Sequence, residues 1–143
     1  MGNSKSISAK ADRMLYCIEK NNIAEVRNLL LTTPELLERP LSKDTQHTPL
    51  MRATYKGNME IVQLILEQKP ALNTQNHKKE TALVLAIKRG FLDIVKILIS
   101  EGANCNIVST ADLTPIDYAI LPGFYDIASL LLKQLEEPSF KSV

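Results

Sequence analysis

Thr48-Pro49-Leu50-Met51-Arg52-Ala53 returns 33 residues later as Thr81-Ala82-Leu83-Val84-Leu85-Ala86, and after 33 more as Thr114-Pro115-Ile116-Asp117-Tyr118-Ala119. The second half of each segment keeps step. Gly57-Asn58-Met59-Glu60-Ile61-Val62 is matched by Gly90-Phe91-Leu92-Asp93-Ile94-Val95 and by Gly123-Phe124-Tyr125-Asp126-Ile127-Ala128. A fixed period of this length means one supersecondary unit stacked on copies of itself. In each copy the Thr can cap a helix N-terminus through its side-chain oxygen. Pro49 and Pro115 then take the first helical position, where a missing N–H costs nothing. The first helix is expected to stop near Gly57, Gly90 or Gly123, residues suited to a left-handed helix end. The second helix carries Ile61, Val62, Ile65 and Leu66, repeated as Ile94, Val95, Leu98 and Ile99 and as Ile127, Ala128, Leu131 and Leu132. That stripe is too broad for one helix pair to bury alone, so neighbouring units must stack.

A less regular copy precedes these three. Sliding Lys56-Gly57-Asn58-Met59 back by 36 residues lands on Lys20-Asn21-Asn22-Ile23, followed by Val26, Leu29 and Leu30. On that register Asp12 takes the capping place, Met14 the Leu place and Cys17 the small Ala place, with the additional residues falling around 34–43. The units are therefore expected at about 12–47, 48–80, 81–113 and 114–135, between a flexible tail, 1–11, and a second tail, 136–143. The terminal units read as caps, the last one closing on polar Lys133, Gln134, Glu136 and Glu137.

The Thr-Pro-Leu-x-x-Ala opening, the mid-unit Gly and the Gly102-Ala103-Asn104-Cys105-Asn106 close fall in one register, with Asn73 in the place of Asn106. Together they resemble the ankyrin repeat family over roughly Asp12 to Leu135. The resemblance implies an all-α solenoid of four helix-turn-helix units with short β-turn fingers. It also implies protein recognition on the concave side formed by fingers and first helices. Three departures stand out. The Gly two residues before the motif Thr is replaced by Gln46, Lys79 and Asp112, the motif His by Met51, Val84 and Asp117, and a helix-ending Gly by Lys69. These changes predict less regular turns and lower stability.

Carried over by position, the resemblance implies a partner-binding surface. The second unit would present Asp44, Thr45 and His47 on its finger and Arg52, Tyr55 and Lys56 on its helix. The third would present His77, Lys78, Lys79 and Glu80, then Leu85, Lys88 and Arg89. The fourth would present Thr110, Ala111 and Leu113, then Tyr118, Leu121 and Pro122. Arg52, Lys56, Lys88 and Arg89 read as a basic stripe, and Tyr55, Leu113, Tyr118, Leu121 and Pro122 as apolar or aromatic area. Tyr and Arg are residue types that dominate interface hot spots. The partner expected is a protein or peptide segment with acidic residues and an apolar anchor; the bland alternative is a merely solvated basic face. Pro122 disfavours helical geometry at Leu121, so the last first-helix is expected to end early and turn Leu121 outward.

The remaining features bound the function. A formal net charge of +1 lacks the basic excess of nucleic-acid binders. The longest apolar run, Ala82 to Ile87, is far too short to cross a bilayer. There is no secretory apolar core near the start, no Asn-x-Ser/Thr site, and no Cys-x-x-Cys pair. An intracellular, cytoplasmic setting is expected. Met1-Gly2-Asn3-Ser4-Lys5-Ser6 fits the N-myristoylation pattern, with Gly2 the acceptor and peripheral membrane attachment the consequence. His47 and His77 fall on finger tips, and Cys17 and Cys105 on packed positions. No catalytic residue, metal site or cofactor is therefore expected. The function expected is a non-catalytic protein-interaction module, an adaptor or inhibitor that is monomeric by itself. The alternative is a structural subunit of a permanent assembly.

Overall fold

A computed structural model describes residues 3–136. Gly2, and so the proposed acylation site, lies outside the described residues, as does 137–143 of the expected C-terminal tail. The described residues form eight α-helices and no strand: α1 (Asn3–Glu19), α2 (Ile23–Thr32), α3 (Pro49–Lys56), α4 (Met59–Glu67), α5 (Ala82–Arg89), α6 (Leu92–Ser100), α7 (Pro115–Ile120) and α8 (Tyr125–Glu136). The chain divides into two compact units, residues 1–71 and 72–143.

In the first unit α1 packs on α2 and α3 on α4, and then first helix stacks on first (α1 on α3) and second on second (α2 on α4). Met14, Ile18, Leu50, Met51, Ile61 and Ile65 are fully buried. Each such side chain contributes about 1.5–3 kcal/mol by leaving water. The connection that carries the additional residues is a 3₁₀ helix, Pro34–Glu38, whose Leu36 is fully buried. The Asn58 side chain donates to the Ile18 carbonyl at 3.0 Å, tying the second helix pair to the end of α1. In the second unit α5–α6 and α7–α8 repeat the arrangement around Leu83, Ile87, Leu98 and Leu131.

The local signals act where the repeat register puts them. The Thr48, Thr81 and Thr114 hydroxyls accept from the backbone N–H three residues on, at 3.4, 3.3 and 3.4 Å. Gly57 and Gly90 end α3 and α5 in the left-handed region. The three fingers are regular despite their missing glycines. Gln46, Lys79 and Asp112 adopt φ of 56°, 56° and 58°, the conformation the absent Gly would have supplied, and Lys69 follows at 54°. The chain keeps the turn geometry and carries its backbone cost.

Four expectations need correction. Residues 1–11 are not a loose tail throughout: α1 already runs from Asn3, with Ala11 buried, because the helix continues without a break into the first unit. Asp12 consequently sits inside α1 rather than capping it. α7 does end early, at six residues against eight for α3 and α5, and Leu121 is 71% exposed. Leu121, the residue that caps α7, nonetheless keeps a helical backbone (φ −56°, ψ −47°) instead of the extended one that the steric rule favours before Pro122. Finally, the polar ending expected at Lys133, Gln134 and Glu136 is accompanied by exposed apolar side chains, Ile120, Tyr125, Leu132 and Leu135, and Glu137 lies outside the described residues.

Candidate functional site

In the first unit the side made by the first helices and the finger holds a hollow of about 280 Å³. It is lined by Leu15 and Glu19 of α1, Leu41, Ser42, Thr45 and His47 of the finger, and Arg52 of α3. A wider hollow of about 630 Å³ adjoins it through Leu15, Leu41 and Ser42 and continues past Asp12, Arg39 and Lys43. Leu41 is buried because its N–H closes the finger onto the His47 carbonyl at 2.8 Å, which presses it against α1. Glu19 anchors the rim. It accepts from the Arg52 guanidinium through Nε and Nη2, and its other oxygen lies 3.2 Å from the Lys56 ammonium. Burial pushes the Glu19 carboxyl up, but the Arg52 and Lys56 bonds outweigh it and hold the group below its ordinary range. The Arg52 guanidinium carbon sits 5.3 Å from the Tyr55 ring centroid, and the Tyr55 and His47 rings are 5.9 Å apart.

In the second unit the organising residue is Glu80. Asn76 Oδ1 accepts from the Lys78 and Glu80 backbone N–H groups, both at 2.9 Å, while Asn76 Nδ2 donates to the Glu80 carboxylate at 3.2 Å. Lys88 donates to the other Glu80 oxygen at 2.6 Å and lies 5.5 Å from the Tyr118 ring centroid. Burial pushes Glu80 up; the Lys88 and Asn76 bonds reverse this and leave it below the ordinary carboxylate range. The Tyr118 hydroxyl shares a 2.7 Å hydrogen bond with Ser109, and Thr110 N–H donates to the Lys78 carbonyl at 3.0 Å, joining one finger to the next.

Three residues expected at the surface are not there. His47, Glu80 and Leu85 are buried: His47 and Glu80 directly precede the capping Thr48 and Thr81, and Leu85 lies in α5, whose residues 82–87 are all buried. Asp44, Lys56, His77, Lys78, Lys88, Arg89 and Leu121 are exposed, and Thr45, Arg52, Tyr55, Leu113 and Tyr118 half-buried. The basic stripe is largely spoken for: Arg52 and Lys56 are paired with Glu19, Lys88 with Glu80, and Arg89 lies over the Phe91 ring at 5.6 Å. Reading by residue type missed Glu19, although it occupies the register place that Tyr55, Lys88 and Leu121 hold in later repeats. Leu15 and Leu41 carried no motif signal. Cys17 is buried and Cys105 half-buried, and burial pushes both thiols up, away from the reactive thiolate. Among the described residues no group of His, Cys, Asp and Glu is placed to hold a metal ion. No described helix is long and apolar enough to cross a membrane.

The paired helices, the capping Thr residues and the closed fingers coincide with a family profile described as ankyrin repeats, three copies, which matches residues 50–141. The chain belongs to the ankyrin-repeat family. Similar curated proteins include two from rice, Oryza sativa subsp. japonica: the probable E3 ubiquitin-protein ligases XBOS32 and XBOS33. They are 33% and 34% identical to this chain over 82 residues. The match takes in 57% of this chain but 16% of each relative, so the chain spans only a small part of their length. Ankyrin repeats generally mediate protein–protein interaction.

Proposed function

We propose that this ankyrin-repeat chain is a non-catalytic adaptor or inhibitor that binds a partner protein on the finger and first-helix side. One observation carries the reading: the 280 Å³ hollow with Leu15 and Leu41 in its wall and the Arg52–Glu19 pair on its rim. Apolar walls take an anchor side chain, and the ion pair fixes the polar groups around it. An acidic partner residue would have to exchange with the Glu19 or Glu80 carboxylate for its cation. Charge therefore selects the partner, and the apolar anchor supplies most of the affinity. In the second unit, taken by itself, Lys78, Tyr118 and Leu121 hold the corresponding finger and first-helix positions. The ligase activity in the relatives' names is not carried over, because the likeness covers so little of them. Cytoplasmic localisation, with peripheral membrane attachment through an acylated Gly2, belongs to the same proposal.

The test is affinity capture from native lysate at low and moderate salt, repeated with Leu15→Arg and with Lys56→Glu/Lys88→Glu/Arg89→Glu. The specific partner is expected to be lost with the first variant and weakened with the second. Equal recovery with all three proteins rules the surface out.

A further inference from the structure

One face of α1 walls both hollows of the first unit. Ser8, Ala11, Asp12 and Leu15, at helical spacing, line the wide one, and Leu15 and Glu19 the narrow one. Leu15, Leu41 and Ser42 belong to both, so the two hollows form one continuous groove. Its ends differ in charge. At the narrow end the cations are already neutralised, Arg52 and Lys56 by the Glu19 carboxylate. At the wide end Arg39 and Lys43 are exposed in the wall, and neither joins an ion pair among the described residues. Asp12 lines the same space, one carboxylate against two cations. Local structure puts the cations there. Arg39 N–H donates to the Leu36 carbonyl at 3.2 Å as the 3₁₀ helix ends, and Leu41 is fastened to His47. Arg39 and Lys43 therefore flank the buried residue at which the finger meets α1.

We propose that this groove takes an extended segment of a partner protein carrying one apolar anchor and, about three residues from it, an aspartate or glutamate. The inference rests on the finger-side reading and names a second contact of that same site. The anchor enters the narrow hollow beside Leu15, and the carboxylate meets Arg39 and Lys43. There it displaces no carboxylate of the chain, whereas at Arg52, Lys56 or Lys88 it would have to exchange with Glu19 or Glu80. The spacing follows from α1. From the stretch Ser8–Asp12 to the stretch Leu15–Glu19 is about seven residues, or about 10 Å of helix. An extended chain crosses that distance in about three residues. Exposed ion pairs are individually weak. The two cations thus fix where the acidic residue sits, and the buried anchor supplies most of the affinity. Asp12 opposes a second acidic residue in the wide hollow and limits the charge the groove accepts.

Panning a phage-displayed library of random dodecapeptides against the full chain tests this, with the selected peptides titrated by fluorescence anisotropy. Selected sequences are expected to share an apolar residue with Asp or Glu about three positions away. Arg39→Glu/Lys43→Glu, at exposed sites, should weaken the titrated peptide about tenfold, and Asp12→Asn should tighten it about twofold. Lys20→Glu/Arg27→Glu makes the same change in net charge outside the groove and should alter affinity by less than about twofold. An apolar anchor selected without any acidic preference, and lost with Leu15→Arg, overturns this inference and leaves the finger-side reading standing. Binding that survives Leu15→Arg overturns both, as does panning that enriches no common sequence. An acidic preference that weakens equally with Lys20→Glu/Arg27→Glu overturns the inference too, by reducing it to net charge.

Discussion

Replacing Lys79 with glycine should stabilise this protein, although it removes a side chain and adds backbone freedom. Lys79 is held at φ 56° by the finger, whose geometry is fixed by its own N–H donating to the Asn76 carbonyl at 2.9 Å. Its carbonyl accepts from Gln75 Nε2 at 2.9 Å, so the backbone has no room to relax. A left-handed conformation costs a residue with a Cβ about 1–2 kcal/mol. Glycine escapes that cost but gives the unfolded chain about 0.4–1 kcal/mol of additional entropy. The difference is a stabilisation of about 0.5–1 kcal/mol, or roughly 1–4 °C in Tm for a chain of this size. Lys78→Gly is the control: Lys78 is exposed on the same finger, has no positive φ, and should lose only the entropy term. The two variants should therefore differ by the left-handed cost itself, about 1–2 kcal/mol. Urea unfolding with an unchanged m-value measures this directly. If Lys79→Gly is no more stable than Lys78→Gly, the finger does not hold its backbone as described and the reasoning fails.

Other outcomes follow from the same packing. At Gly90, φ is +71° and an added Cβ would lie 2.9 Å from the Phe124 ring, so Gly90→Ala should destabilise by about 2–3 kcal/mol in thermal or urea unfolding. The Thr54 hydroxyl is fully buried without a hydrogen-bond partner among the described residues, so Thr54→Val should stabilise by about 1 kcal/mol; a loss of that size would place an acceptor there. Glu80 titrates below its ordinary value of 4.5 in the folded protein. Its contribution is present above that value and is lost as the pH falls through the lower folded-state value, because only the folded form favours the charged carboxylate. Urea unfolding of Glu80→Gln across acid pH should show a shallower loss than the parent, with Glu19 and Asp117 keeping contributions of the same sign.

The fold was legible because helix caps, helix ends and apolar stripes are local signals, and the repeat shows them several times in one register. Gln46, Lys79 and Asp112 show where that legibility stops. Register identified their positions as glycine sites, but whether a turn distorts or keeps its geometry depends on hydrogen bonds such as Lys79 to Asn76 and Asp112 to Ser109. The candidate site was half legible. Arg52, Lys88 and Tyr118 could be placed by column, yet whether they are free or paired depends on residues outside that column, 33 residues away for Arg52 and Glu19. The hollow that Leu15 shares with Leu41 and the buried His47 arises from how finger and helix meet. Sequence spacing along one chain does not encode that meeting.

Hydrogen–deuterium exchange of the chain in complex with its captured partner tests the binding surface most directly. Protection is expected at the end of α1 around Leu15–Glu19 and across residues 41–47, with further slowing near Tyr118 and Leu121. Protection confined to α2, α4 or α6, with those segments unchanged, would contradict the account.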